Sequence, residues 1–422
     1  MALISFADVV HQSISFDDSD PAGALVLELI DTRWVQRLRD ISQTANTRLV
    51  FMFSEHSRFG HSLGVAYLAQ VVLEKLAQQF PYEVNDYRLA VSAAAVLHDV
   101  GHIAPGSHTA YRTWFPGQAD AHEHLVTKVV QEDPELRHVL SGYRKDLPEL
   151  VAAILAHDPA VPPWTWELLA GGGWNVDRGN WCVIDSILAG VSYGIYNIPA
   201  LTESIVLTED RHLALRENRL DAMMHFAVSR HAMYRQVYQH RVLLAADTLN
   251  KAVVQRARDI RTKLSFADDA MQECLNASTV GDISLENLFM MREPWWRYHL
   301  FRWCDDSDPV LSDLATRVVF RRLLKTIRVQ EGDDAGELKN RAIDILAELD
   351  LNPRYYLHEV RTFDMHEGDV QQSIHVMMDS GETLKLVEAD PLFESLVRES
   401  GSYQKLWLAV PGEVKLRLGR ER

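Results

Sequence analysis

In "AAAVLHDVGHIA", His98 and Asp99 close a run of alanine, valine and leucine, and Val100, Gly101 and His102 follow. Burying ionisable groups without partners is costly, so a buried charge must be paired or bind a metal. Either hydrogen bonds or a cation must therefore satisfy this pair. Two other segments offer companions. Upstream, "EHSRFGHSLGV" puts His61 at the start of a helix just after Gly60; downstream, "WNVDRGNWCVIDS" puts Asp177 ahead of a second helical run. His61, His98, Asp99 and Asp177 supply two imidazoles and two carboxylates. That mixed set suits one divalent transition metal (Mn, Fe, Co, Ni or Zn), with Mg admissible and Ca disfavoured. Neighbouring ligands reach one ion only where the backbone leaves a regular helix, and Gly101 is consistent with that. The plainer alternative is a hydrogen-bonded core pair. A second dyad, His157 and Asp158 in "AAILAHDPA", is followed by Pro159 rather than by a Gly-His step and is expected to lie off the metal. The first pair has company: His102, His108, His122 and His124 follow in a stretch interleaved with glycine and proline.

The rest of the chain must position these groups. Its 422 residues are 47% hydrophobic and 24% charged, an ordinary globular composition with length for two or three units. No early apolar run reads as a secretory signal or a membrane span. Cys182, Cys274 and Cys304 are scattered without CxxC spacing, which predicts reduced thiols in a cytoplasmic protein and no zinc ribbon. The formal charge of −16 argues against nucleic acid as the main partner, yet leaves room for a phosphate-bearing substrate in a locally positive pocket. Helical spacing runs through "IDTRWVQRLRDISQ" (Ile30 to Gln43), "HSLGVAYLAQVVLEKLAQQF" up to Pro81, "VNDYRLAVSAAAVLHD", and a long charged stretch from about His212 to Ile260. A Pro- and Trp-rich loop, "HDPAVPPWTWELLAGGGW", separates early from later helices. Strand-like alternation appears late, in "RYYLHEV" and around the Asp-Ser-Gly turn of "SIHVMMDSGETLKLVE". The expectation is a mainly α protein: a helical catalytic core over 1–265, a helical extension over 266–331 and a small α+β region over 332–422. The dense polar chemistry lies before about Arg241.

Several blocks together resemble a family. "IDTRWVQRLRDISQ", "HSRFGHSLGV", "HDVGH", "AHEH", "VDRGNWCVIDS" and "SRHAMYRQVYQHR" occur in the order seen in HD-domain metal-dependent phosphohydrolases. The chain is most similar there to the deoxynucleoside triphosphate triphosphohydrolase (dNTPase, dGTPase) branch. The likeness covers about Ile30 to Ala245, with a weaker echo in "VEADPLFESL". It implies an HD helical bundle that hydrolyses a dNTP to deoxynucleoside and triphosphate. It also implies a metal held by His61, His98, Asp99 and Asp177, with open positions left for water and phosphate. His108 and His122 match histidines beside the scissile phosphate, Glu123 or another carboxylate orients one of them, and His102 matches a position in the metal's outer shell. Arg58, Arg178 and Arg230 match phosphate-contacting positions, as forked guanidinium contacts require. Gln43 and Asp185 match groups holding the sugar 3′-hydroxyl, and Tyr238 an aromatic residue packed on the sugar. Homo-oligomers, a nucleotide effector, and roles in nucleotide-pool control or defence against phage accompany the branch.

Departures touch substrate choice rather than the metal. Tyr111 stands where an acidic residue is usual, Trp181 replaces a phosphate-touching tyrosine, Thr44 a leucine, and Ile184 an arginine; "HIAPGSH" is one residue longer than usual. Competing readings are an HD phosphohydrolase acting on another nucleotide or on single-stranded nucleic acid, and a nucleotide-sensing regulatory subunit that needs an effector or partner.

Overall fold

The computed structural model describes residues 3–105, 109–115, 122–330, 334–362, 374–400 and 405–419, apart from the side chains of 123, 397, 399 and 400. At its centre, α1 (Arg58–Gln79) and α2 (Pro81–Leu97) form a helical hairpin. Pro81 lacks the N–H that a continuing helix needs but suits the first turn of a new one. The chain therefore turns at Phe80 and starts again at once. Ala90 and Ala93–Ala95 are fully buried on α2, and their small side chains allow the close approach to α1. Around this hairpin pack the helix Pro21–Ile30, the helix Leu147–Leu155, which in turn carries α3 (His122–Glu132), and α4 (Val176–Ala189). Asn175 caps α4 through its side chain, and Gly190 ends it in the left-handed conformation at φ 70°.

Three small sheets decorate this bundle. β1 (Leu3–Asp8) and β2 (Gln12–Asp17) form a hairpin. β3 (Ile205–Leu207), β4 (Leu213–Arg216), β7 (His375–Met377) and β8 (Thr383–Lys385) make a sheet in that order, with β4 and β7 parallel. β5 (Lys325–Val329), β9 (Leu406–Val410) and β6 (His358–Arg361) make the third, in that order and antiparallel. The mainly α architecture with small sheets in the C-terminal region is as expected, but the β1–β2 hairpin and the strands β3 and β4 fall inside the stretch 1–265 expected to be helical. Among the described residues no helix is long and apolar enough to cross a membrane.

Three local expectations need correction. The segment from Ile30 to Gln43 is not one helix: it breaks after Ile30, resumes as Arg33–Arg37 and tightens to a 3₁₀ turn at Leu38–Asp40. Thr32 sits at the break and donates its hydroxyl to Leu29 O at 2.6 Å, a local bond of the kind that competes with helix continuation. The stretch from His212 to Ile260 opens as strand β4, continues as α5 (Leu220–Met233) and a π turn at Tyr234–Tyr238, and resumes as α6 (Arg241–Asp259) after extended His240. The Pro- and Trp-rich loop contains a helix, Pro163–Ala170, with Trp164, Thr165 and Leu168 buried.

Candidate metal centre and phosphate pocket

α2 ends at Leu97, so His98 and Asp99 sit in the turn that follows, free of mid-helix geometry. The His98 Nδ1 lies 2.8 Å from Ala95 O, and the His61 Nδ1 lies 2.9 Å from Asn180 Oδ1. Both acceptors are oxygens, so each Nδ1 donates and each Nε2 turns inward. The two Nε2 atoms face each other at 3.4 Å, and Asp177 Oδ1 lies 2.9 Å from the His61 Nε2 and 3.6 Å from the His98 Nε2. Asp99 lies to the side, with Oδ1 3.5 Å from the His98 Nε2 and Oδ2 3.7 Å from the His61 Nε2, outside the His61–His98–Asp177 trio whose ligand atoms all lie within 4.8 Å of one another.

This arrangement demands positive charge. Burial favours neutral imidazole at His98, but Asp99 and Asp177 outweigh it and push its pKa up to about 9. Burial would likewise favour a neutral acid at Asp99, yet Arg58, His98 and His102 hold it well below the carboxylate range. Asp177 is lowered too, against burial, by its bonds to His61 and His98. The donor set fits a divalent ion, whose binding would displace the proton that His98 otherwise carries. Asn180 carries no signal in the sequence: its Nδ1 contact orients His61, as outer-shell partners of metal-ligating histidines do. Its approach depends on Gly64, where a Cβ would come within 2.4 Å of the Asn180 amide nitrogen.

A second layer fixes the turn. Arg58 donates to Asp99 Oδ2 at 2.8 Å, and the His102 Nε2 lies 3.2 Å from Asp99 Oδ1. His102 stacks on His122 with ring centroids 4.4 Å apart; burial, then Arg58 and His122, lower its pKa well below 6.5, leaving it neutral at pH 7. Tyr111, the departure from the acidic pattern, is buried and donates to Gly101 O at 2.6 Å. It braces the turn instead of charging a histidine. Arg37 of the "QRLR" block donates to His102 O at 2.7 Å and to Leu288, Phe289 and Met291 carbonyls.

The group opens into a cavity of about 550 Å³, within the range of small-molecule sites. Gln43, Arg58, His98, Asp99, His102, His122, Asp177, Arg178, Trp181, Asp185, Arg230 and Tyr238 all line it. His61 lies behind, fully buried. His108 and the Glu123 side chain lie outside the described residues. Arg178 donates to Gly171 and Gly173 carbonyls, and Arg230 is buried with its guanidinium 5.2 Å from the Tyr234 ring centroid. Asp185 receives the Tyr238 hydroxyl on one oxygen and meets the His56 Nε2 at 2.7 Å on the other. His56, inside "EHSRFGH", is a site residue that sequence reasoning missed. Trp181 meets Tyr238 edge-on at 5.6 Å. Thr44 and Gln43 are buried with Thr44 Oγ1 and Gln43 Oε1 lacking protein partners. Ile184 is buried. Arg112 and Asp247, outside the expected set, also line the cavity. His157 lines it too, stacked on Trp166 and apart from the metal ligands.

Residues 58–165 match the HD domain family, and the match begins at Arg58, covers the HD turn and ends in the helix Pro163–Ala170. The chain carries an HD domain. The Bacillus subtilis protein YwfO is 26% identical over 95% of this chain and 91% of its own length. A deoxynucleoside triphosphate triphosphohydrolase SAMHD1 homolog from Dictyostelium discoideum is 26% identical over 68% of this chain and 55% of its own length. The Gallus gallus deoxynucleoside triphosphate triphosphohydrolase SAMHD1 is 26% identical over 56% of this chain and 42% of its own length. The chain thus spans about half the length of those triphosphohydrolases. A phosphohydrolase from Bacteroides thetaiotaomicron shares the fold at a TM-score of 0.80, with 22% identity over 97% of this chain and 100% of its own. Asp177 lies beyond the matched HD residues, on α4, and only the tertiary fold brings it to His61 and His98.

Proposed function

We propose that the protein hydrolyses deoxynucleoside triphosphates to deoxynucleoside and inorganic triphosphate, using a divalent metal in the HD centre. One observation carries this reading: the His61–His98–Asp177 cluster opens into a cavity that also holds Arg58, Arg112, Arg178 and Arg230. In a chain of net charge −16, these four guanidinium groups balance the carboxylates Asp99, Asp177, Asp185 and Asp247 of the same lining, so that a bound divalent ion would tip the pocket positive and favour a polyanionic substrate. The likeness to SAMHD1 proteins supports the triphosphohydrolase assignment.

A bound divalent ion would polarise the α-phosphoryl group and lower the pKa of a water in its open coordination. The chain's own residues do the rest. Arg178, tethered to the Gly171 and Gly173 carbonyls, and buried Arg230 hold the phosphate charges. Arg58 keeps Asp99 ionised. Addition of water at the α-phosphorus breaks the P–O5′ bond, and the leaving alkoxide needs a proton. His122, stacked on neutral His102 at the cavity wall, is placed to supply it. Unpartnered Gln43 Oε1 and Asp185 offer acceptors for a sugar hydroxyl, with Tyr238 at the sugar face.

Control by a second nucleotide or by homo-oligomerisation belongs to the same proposal. Gly173, whose carbonyl tethers Arg178, lies against Ile374, the residue preceding β7. A displacement of the C-terminal region would therefore reach a phosphate-binding arginine. Roles in nucleotide-pool control or phage defence would follow from the activity.

The test is metal analysis of purified protein, with wild type and Asp99→Ala incubated with single dNTPs and with mixtures, and products resolved by ion-exchange chromatography. Wild type is expected to carry a transition metal and release triphosphate, and the variant to lose both. Turnover only in mixtures would identify an effector site. Orthophosphate or shortened oligonucleotides as products would overturn the assignment.

A further inference from the structure

Glu167, His212 and His375 meet at the surface between the helical bundle and the C-terminal sheet, each placed by a different element. Glu167 lies on the helix Pro163–Ala170, His212 immediately before β4, and His375 opens β7. Their ligand atoms all lie within 4.8 Å of one another. We infer that these three residues form a second transition-metal site, separate from the HD centre, which clips β7 to the helical bundle.

The trio is held before any ion arrives. Glu167 Oε1 lies 2.7 Å from the His212 Nδ1, and Oε2 accepts Leu213 N at 2.7 Å. The backbone of His212 is fixed by two bonds to Thr208, one from its N–H to the Thr208 hydroxyl and one from Thr208 N to its carbonyl. Parallel pairing of Ala214 with His375 brings the two imidazoles to 4.8 Å between centroids. Four-coordinate zinc with ligands at about 2.0–2.1 Å needs ligand atoms about 3.4 Å apart. Opening the Glu167–His212 contact, now 2.7 Å, by about 0.7 Å and drawing His375 in by about 1 Å brings the trio to that spacing. The ion takes the place of the proton shared by the His212 Nδ1 and Glu167, and water fills the fourth position.

Chemistry selects the ion. Glu167 supplies the trio's one carboxylate, and Lys385, paired with His375 across β8, opposes any cation. Binding therefore depends on imidazole coordination rather than on charge, which favours Zn²⁺ over Mg²⁺ or Ca²⁺. The side chain of His212 is 36% exposed and that of Glu167 14%, so an ion enters from solvent without unfolding. The consequence is mechanical. β7 follows Ile374, which touches Gly173 of the loop that tethers Arg178.

The experiment is Zn²⁺ titration of the full chain against a chromophoric chelator, with Mg²⁺ as a control. The proteins are wild type, His375→Ala, His212→Asn, and His98→Ala alone and combined with His212→Asn. His212→Asn keeps an amide nitrogen near the Nδ1 position to hold the Glu167 hydrogen bond, so it separates loss of metal from loss of fold. Wild type is expected to take two equivalents of Zn²⁺, and each single variant one. The double variant takes none, and Mg²⁺ gives no signal at this site. Zn²⁺ raises the melting temperature of His98→Ala and not that of the double variant. Equal stoichiometry in wild type, His212→Asn and His375→Ala would overturn the second site. That outcome leaves the HD centre untouched, because the HD centre is scored by His98→Ala.

Discussion

Asp247 shows how one side chain on the cavity wall can oppose stability. Asn46 donates to it at 2.6 Å, but burial dominates and raises its pKa to about 6. Such a carboxyl binds its proton more tightly folded than unfolded. Stability is therefore greatest below the unfolded pKa of about 4 and falls as pH rises through the folded value. Asp247→Asn removes this titration and keeps an oxygen for Asn46. The variant is expected to match wild type near pH 4 and to exceed it at pH 7 by on the order of 1–2 kcal/mol. Denaturant melts at both pH values check this; parallel curves would refute it. At this scale the candidate metal-binding groups are legible in the sequence because imidazole and carboxylate are conspicuous at an apolar helix end. Asn180 and His56 are not. An amide and a half-buried imidazole gain meaning only from the atoms they face, His61 Nδ1 and Asp185 Oδ1.

The HD turn and α3 meet through one glycine. A Cβ on Gly101 would lie 2.3 Å from His122 O and 2.8 Å from Val126 Cγ2. A backbone carbonyl cannot step aside as a flexible side chain can, so Gly101→Ala must push α3 away and carry His122 with it. The expected cost is about 1–3 kcal/mol, with hydrolysis falling further than metal content because His122 moves while His61 and His98 stay. Gly60→Ala is the control: nothing lies within 4 Å of a Cβ there. Thermal melts and metal analysis of both variants test the contrast, and equal melting temperatures would defeat it. The apolar spacing and the Pro81 break make α1 and α2 legible in the sequence, even though residues 61–66 of α1 and 90–97 of α2 are buried on every side. The same spacing misreads the stretch from His212 to Ile260, because Leu213–Leu215 become a strand only when β3 and β7 lie beside them.

Arg37 joins the HD turn to the distant segment 288–291. It is 2% exposed and donates to the carbonyls of His102, Leu288, Phe289 and Met291. Ala104 N adds a bond to Met291 O across the same junction. Burial lowers the guanidinium pKa to about 9, so it stays charged at pH 7. Arg37→Met leaves several buried acceptors without donors, at a cost of about 3 kcal/mol or more. Arg37→Lys is expected to fall nearly as far, since one ammonium cannot reproduce a planar fork. Chemical denaturation of both variants measures this, and a lysine variant as stable as wild type would refute the clamp.

From the order of residues alone came the helical class, the HD turn and the kinds of atom that would bind a metal. Those properties depend on local spacing and side-chain chemistry, which survive in one dimension. Only the folded chain decided that α4 delivers Asp177 and Asn180 to His61, that Tyr111 braces Gly101, and that His375 comes to rest beside Glu167 and His212. Asp247, beyond Arg241 in the sequence, reaches the cavity wall for the same reason. A contact between remote segments is set by packing of the whole core, and no window of sequence contains both partners.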